Sequence, residues 1–334
     1  MRTPFAAAWI GLGSACGWSV TQDLILSTSG STEGVATSST SEPDTGSDEA
    51  TSVETGATPD VGCTDRWGQP GWGFEAPVLL EGLNSELLEA DPRLSADGLT
   101  LSFSSTRLGG AGGFDLYLAT RAQPSGPFDA PVPLTSLNTP FDETALSWVS
   151  DGSVVFASTR STADQWSTLW QAQLSPTVEI SPLDALDLPD LNNFDPFVSA
   201  DGLQLLWTAA NSGTDDLNLR AAGRSALDDS FEALGGFSFE SAAYDDSLTL
   251  SANGRIALWG SERTGGLGAH DLWFAVRATP EDEFGAPTLV PDLNSEFQDR
   301  ESFVTADGCT VLFVSERPDG VGQWDLYSAS VRLD

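Results

Sequence analysis

The stretch FVSADGLQLLW, from Phe197, recurs in near-copy four more times: RLSADGLTLSF from Arg93, WVSDGSVVF from Trp148, LTLSANGRIALW from Leu248 and FVTADGCTVLF from Phe303. Each copy sets an Asp-Gly or Asn-Gly turn between two runs rich in apolar and small residues. Such dipeptides reverse a strand because glycine tolerates the positive φ that a tight hairpin demands. The turn residues Asp97, Asp151, Asp201, Asn253 and Asp307 lie 54, 50, 52 and 54 residues apart. A hairpin unit repeated at this period cannot bury its faces alone, so the units must stack into a propeller or a related array.

One period divides into four strands. DPRLS (91–95) leads through the turn into LTLSFSST (99–106). After the glycine-rich loop RLGGAGG come FDLYLATR (114–121) and an outer strand, FDAPVPLTSLN (128–138). Four strands make one blade. Aromatics recur in the second strand (Phe103, Phe156, Trp207, Trp259, Phe313) and in the third (Tyr117, Trp170, Trp273, Tyr327), which suits cores between stacked blades. FEAPVLLEGLNS, from Phe74, copies the outer strand but precedes the first blade, and the fifth repeat ends at Asp334 without one. The expected fold is therefore all-β: a five-bladed β-propeller of four-stranded blades, closed by an N-terminal strand that completes the last blade.

These motifs, SADG…LSFSSTR and GGFDLYLATR, resemble the TolB-like β-propeller repeats, a WD-repeat-like family frequent among bacterial envelope lipoproteins. The resemblance covers residues 74–334. It implies a binding or scaffolding module, with partners that vary across the family. Blade 2 departs from the pattern at Thr168, where an aspartate is expected, and blade 3 departs at Asn211, where an arginine is expected.

The first residues read as export signals. Arg2 and the apolar FAAAWIGLGSA (5–15) have signal-peptide character and are too short to span a bilayer. GSAC resembles a lipobox, with its leucine one place early at Leu12, so residues 1–15 are expected to be removed and Cys16 lipidated. A plain secretory cleavage near Ala15 is the alternative. Residues 16–62 carry little large apolar surface after Leu26 and are expected to form a disordered acidic stalk. The stalk contains eight acids and no base, leaving 41 acids against 13 arginines in the propeller region, 63–334. A net charge of −35 excludes nucleic acid as a partner and electrostatic docking onto an anionic membrane. The expectation is an exported monomer anchored by its lipid in the bacterial cell envelope, at the outer membrane, facing either the periplasm or the surface, and meeting the membrane only through that lipid. Cys63 and Cys309 remain as a pair, expected to be oxidised in that compartment.

Chemistry is sparse. The single histidine, His270, has no nucleophile elbow beside it and reads as a loop substituent. The loops GGAGGFD, GGLGAHD and DGVGQWD are similar to calcium-binding turns, but the aspartate falls one residue late. Instead, Arg107, Arg263 and Arg317 stand eight residues before Asp115, Asp271 and Asp325, and an arginine–aspartate pair is expected across each loop mouth. Eight residues before each turn come Glu89, Glu143, Asn193, Asp245 and Asp299; two residues later come Asp91, Ala145, Asp195, Ser247 and Glu301. Both sets begin the innermost strand. Either the first set caps loop amides, or it forms an acidic funnel for a cation, calcium included, or for a basic ligand. The expected function is a non-catalytic module for a protein, saccharide or cationic ligand of the envelope. The alternative is a glycosidase acting through carboxylates in the channel.

Overall fold

The computed structural model describes residues 62–332, apart from 161–165, 184–185, 187–190 and 212–216. Cys16, the signal-like stretch and the stalk before residue 62 lie outside the described residues. Five four-stranded antiparallel sheets are arranged as blades. β1 (Val78–Leu79) comes first in the chain, and blade 1 follows with β2 (Glu89–Leu94), β3 (Thr100–Ser105), β4 (Asp115–Thr120) and β5 (Val132–Pro133). Blade 2 holds β6 (Glu143–Trp148), β7 (Ser153–Ser158), β8 (Thr168–Gln173) and β9 (Glu179–Pro182). Blade 3 holds β10 (Leu191–Val198), β11 (Gln204–Asn211), β12 (Leu217–Gly223) and β13 (Glu232–Ala233). Blade 4 holds β14 (Asp245–Leu250), β15 (Ile256–Ser261), β16 (Asp271–Val276) and β17 (Thr288–Leu289). Blade 5 consists of β18 (Asp299–Val304), β19 (Thr310–Ser315), β20 (Asp325–Ser330) and, as its outer strand, β1.

The ring closes as the repeat count requires. Val78 lies opposite Ser328 and Leu79 opposite Tyr327, so the chain's two ends share one sheet. The molecule is a five-bladed β-propeller.

The turn chemistry explains the repeated motif. The Asp97 carboxylate accepts from Ser95 Oγ at 2.6 Å and from the Leu99 amide at 3.0 Å, while Gly98 takes φ 70°. The same contacts recur at Asp201 and Asp307. Accepting two hydrogen bonds holds the Asp97 carboxyl below its usual range.

The outer strands are far shorter than the run from 128 to 138 suggested: four of the five pair over only two residues. Pro77, Pro131 and Pro287 stand just before three of them, and proline has no N–H to give to a ladder. The second-strand aromatics are all buried between blades. Phe103 stacks on Tyr117 and Phe313 on Tyr327, each with centroids 5.9 Å apart.

A short 3₁₀ turn, Cys63–Arg66, begins the described chain. The expected disulfide joins Cys63 to Cys309. Trp67 then donates to the Gly308 carbonyl at 2.9 Å and packs edge-on against Phe274 of blade 4. The N-terminal segment is thereby fastened to two blades.

Candidate functional site

Glu89, Glu143, Asn193, Asp245 and Asp299 occupy equivalent, fully buried places at the start of the innermost strands. They build loop caps. Asp299 accepts from the Ser295 amide and hydroxyl at 2.6 and 2.7 Å, and from Arg317 Nη2 at 2.7 Å. Glu89 accepts from Ser85, from Ser105 Oγ and from Arg107 at 3.1 Å. Glu143 and Asp245 repeat the scheme with Thr139 and Arg160, and with Ser241 and Arg263. In blade 3 Asn193 accepts from Trp207 Nε1 instead. Of the two readings open for this set, capping matches the contacts; a shared funnel of these carboxylates does not.

The expected arginine–aspartate pairs are corrected by the same contacts. Arg107, Arg263 and Arg317 pair with Glu89, Asp245 and Asp299, not with Asp115, Asp271 and Asp325. The cross-strand register places Ser105 between Glu89 and Asp115, and the arginine side chain turns toward the inner strand. There its guanidinium covers two aromatic rings; for Arg107 these are Phe103 at 5.0 Å and Tyr117 at 4.8 Å. The three aspartates serve their own glycine-rich loops, accepting from the amides of Gly112, Gly268 and Gly322.

The second set builds something different. Asp91, Ala145, Asp195, Ser247 and Glu301 all adopt left-handed backbone, with φ between 51° and 53°. Each sits where the pairing of the first two strands slips, as one extra residue of a bulge. The bulge aims the backbone amide at the preceding blade. Asp91 donates to Glu301 Oε2, Ala145 to Ser104 Oγ and Ser247 to Thr208 Oγ1, all at 3.1 Å. The carboxyls of Asp91 and Asp195, from non-adjacent blades, act on each other electrostatically. Ser104 and Ser247 donate to these two carboxyls as well.

This network is buried and highly charged. Burial pushes the carboxyls of Asp91, Asp195 and Glu301 upward, that of Glu301 to about 8. Burial also opposes ionisation of Asp246, yet His270, 3.1 Å away, and then Arg300 hold its carboxyl below the usual range. His270 is thus a buried partner of the network rather than a loop substituent, its exposure being 1%. Arg300 approaches Glu301 at 3.9 Å and covers the Trp324 ring. Among the described residues, no group of three or more His, Cys, Asp or Glu side chains is arranged to hold a metal ion.

On the face formed by the Asp-Gly turns, a cavity of about 700 Å³ opens, lined by residues of all five blades. Arg93, Phe197 and Phe303, which share one register position, line it together with Trp148, Leu250 and the turn alanines. Sequence reasoning passed over Arg93. The signal available was that the residue four places before each turn varies from blade to blade: Arg93, Ser147, Phe197, Thr249 and Phe303.

No family model matches the chain, and no curated protein matches its sequence. Many solved structures share the fold. A thermostable family-43 glycoside hydrolase aligns at TM-score 0.50 and 12% identity, over 76% of this chain and 92% of that one. A putative TolB from Agrobacterium tumefaciens aligns at TM-score 0.46 and 15% identity, over 77% of this chain and 96% of that one. TolB from Acinetobacter baumannii aligns at TM-score 0.43 and 15% identity, covering 70% of this chain but only 53% of that longer protein. The likeness is one of fold. A shared fold does not by itself fix a function.

Proposed function

We propose that this propeller is a non-catalytic binding module whose ligand enters the funnel on the turn face. The observation that carries this reading is the cavity of about 700 Å³, with apolar walls and one buried charged side chain. A concave, mostly apolar site with few convergent polar groups is the usual form of a ligand pocket. The network of Asp91, Asp195 and Glu301 gives the channel a hydrogen-bonded interior. The funnel can be tested by filling it. Native mass spectrometry, after incubation with envelope extract, should find a bound species on the wild type and none on an Ala200→Trp/Ala252→Trp variant. The same species on both proteins would refute the site.

Export and lipid anchoring belong to this proposal. The Cys63–Cys309 disulfide favours an oxidising compartment, and the lipobox-like GSAC favours a lipid on Cys16. A Cys16→Ser protein should leave the membrane fraction; retention there would argue against the anchor.

A second reading, glycoside hydrolysis, is favoured by one observation: the channel holds a carboxyl raised to about 8, Glu301, and one held low, Asp246. Groups pushed apart in this way suit acid and base roles. Against it, Asp91 and Asp195 are engaged by Ser104 and Ser247, and the network is buried. Release of nitrophenol from aryl glycosides, lost in Glu301→Gln, would replace the first reading with this one.

A further inference from the structure

Arg93 is the buried cation of the turn-face funnel, and its bonding is incomplete. Its exposure is 1%. Burying a guanidinium without a partner for its donors costs several kcal/mol. Nη1 donates to the Pro92 carbonyl at 3.0 Å and to that of Ser302 at 3.5 Å. Nε and Nη2 have no hydrogen-bond partner among the described residues. These two N–H groups lie on one edge of the guanidinium, where they form the fork that grips a carboxylate through two parallel hydrogen bonds.

The charges nearby do not fill that fork. Asp91, Asp195 and Glu301 act on Arg93 electrostatically, yet no ion pair joins any of them to it among the described residues. Asp91 and Asp195 accept from Ser104 and Ser247, and Glu301 accepts from the Asp91 amide. The acids at the funnel rim are also engaged. Asp97 and Asp307 are held by their own turns through Ser95 and Thr305. Beside Arg93 the walls are aromatic: the Phe197 and Phe303 rings lie 6.5 Å apart, tilted by 54°.

We propose that the funnel binds a carboxylate carried on an aromatic body. The fork of Arg93 holds the carboxylate, while Phe197 and Phe303 contact the ring. This deepens, and rests on, the reading of the funnel as the binding site. A protein with 49 acidic and 14 basic residues repels free anions at long range, so the affinity comes from the desolvated fork rather than from steering. Binding should strengthen as added salt screens that repulsion.

The test is calorimetric titration of the full chain with 3-phenylpropionate and, separately, with its neutral amide. The wild type should prefer the acid by about tenfold, the effect of one charge-assisted fork. Arg93→Gln should bring the two probes within about twofold of each other while leaving the amide affinity near that of wild type. Arg93→Lys, which keeps the charge and removes the fork, should lie between them and serves if the Gln variant folds poorly. The funnel-filled Ala200→Trp/Ala252→Trp variant should lose both probes. Equal affinity of wild type for acid and amide, both lost on filling, would overturn the carboxylate proposal and leave the funnel standing. Failure of the acid to bind wild type would also overturn it, and if neither probe bound, the funnel would rest on the mass-spectrometric comparison alone.

Discussion

At the scale of single residues, the molecule separates two kinds of carboxylate that sit two positions apart in the inner strands of blades 1 and 5: Glu89 and Asp91, Asp299 and Glu301. Asp299 and its equivalents are saturated by hydroxyls, amides and an arginine, so their charge is fully used. Glu301 is shielded from water without matching compensation, and burial raises its carboxyl from 4.5 to about 8. The folded protein therefore holds a proton that the unfolded chain gives up above pH 4.5. Stability contributed by this group is intact below that pH and is lost progressively as pH climbs through about 8, by up to about 1.4 kcal/mol per unit. Thermal melts at pH 5, 6.5 and 8 should show a falling midpoint for wild type. Glu301→Gln, neutral throughout, should flatten the trend, and an unchanged slope in that variant would assign the pH dependence elsewhere.

At the scale of elements, the glycine-rich loops do structural work that their composition conceals. In blades 1, 4 and 5 the loop after the second strand presses its backbone against the segment leading into the next blade. A side chain on Gly268 would collide with the Phe297 carbonyl, and one on Gly112 with the Phe141 carbonyl. The aspartates of the same loops, Asp271 and Asp115, secure the close approach by accepting from those glycine amides. Gly268→Ala should cost about 2 kcal/mol or more in urea denaturation, because backbone must move to admit the methyl group. Gly235→Ala has open space around it and should stay within about 0.5 kcal/mol of wild type. A small, equal effect at both sites would mean the loops yield easily. The inner-strand bulges impose a comparable constraint: left-handed backbone at Ala145 and Glu301 carries strain that the surrounding blades must overcome.

At the scale of the whole molecule, the weak point of any propeller is the seam. Here β1 closes blade 5 through two residue pairs, extended by one isolated bridge between Phe74 and Val331, a short seam to resist opening unaided. The Cys63–Cys309 disulfide, spanning 246 residues, and Trp67 in the adjoining core reinforce it. Cross-linking so long a loop restricts the unfolded chain, an effect of about 2–5 kcal/mol. Cys63→Ser/Cys309→Ser should therefore melt roughly 5–15 °C below wild type in scanning calorimetry. An unshifted midpoint would mean that aromatic packing alone holds the seam.

The turn motif and its spacing were enough to determine the number of blades, the hairpin geometry, the closing strand and the buried aromatics. Those features depend on local backbone chemistry and on a period that must close a ring. The partner of each arginine was decided in three dimensions: Asp115 is nearer in sequence to the loop mouth, but Glu89 is where the register and the stacked rings deliver the guanidinium. The left-handed bulges were equally illegible, since Asp91, Ala145, Asp195, Ser247 and Glu301 span four residue types and include no glycine. The same holds for the funnel. Arg93, Phe197 and Phe303 lie far apart along the chain and meet only because the ring brings one register position of every blade to a common axis.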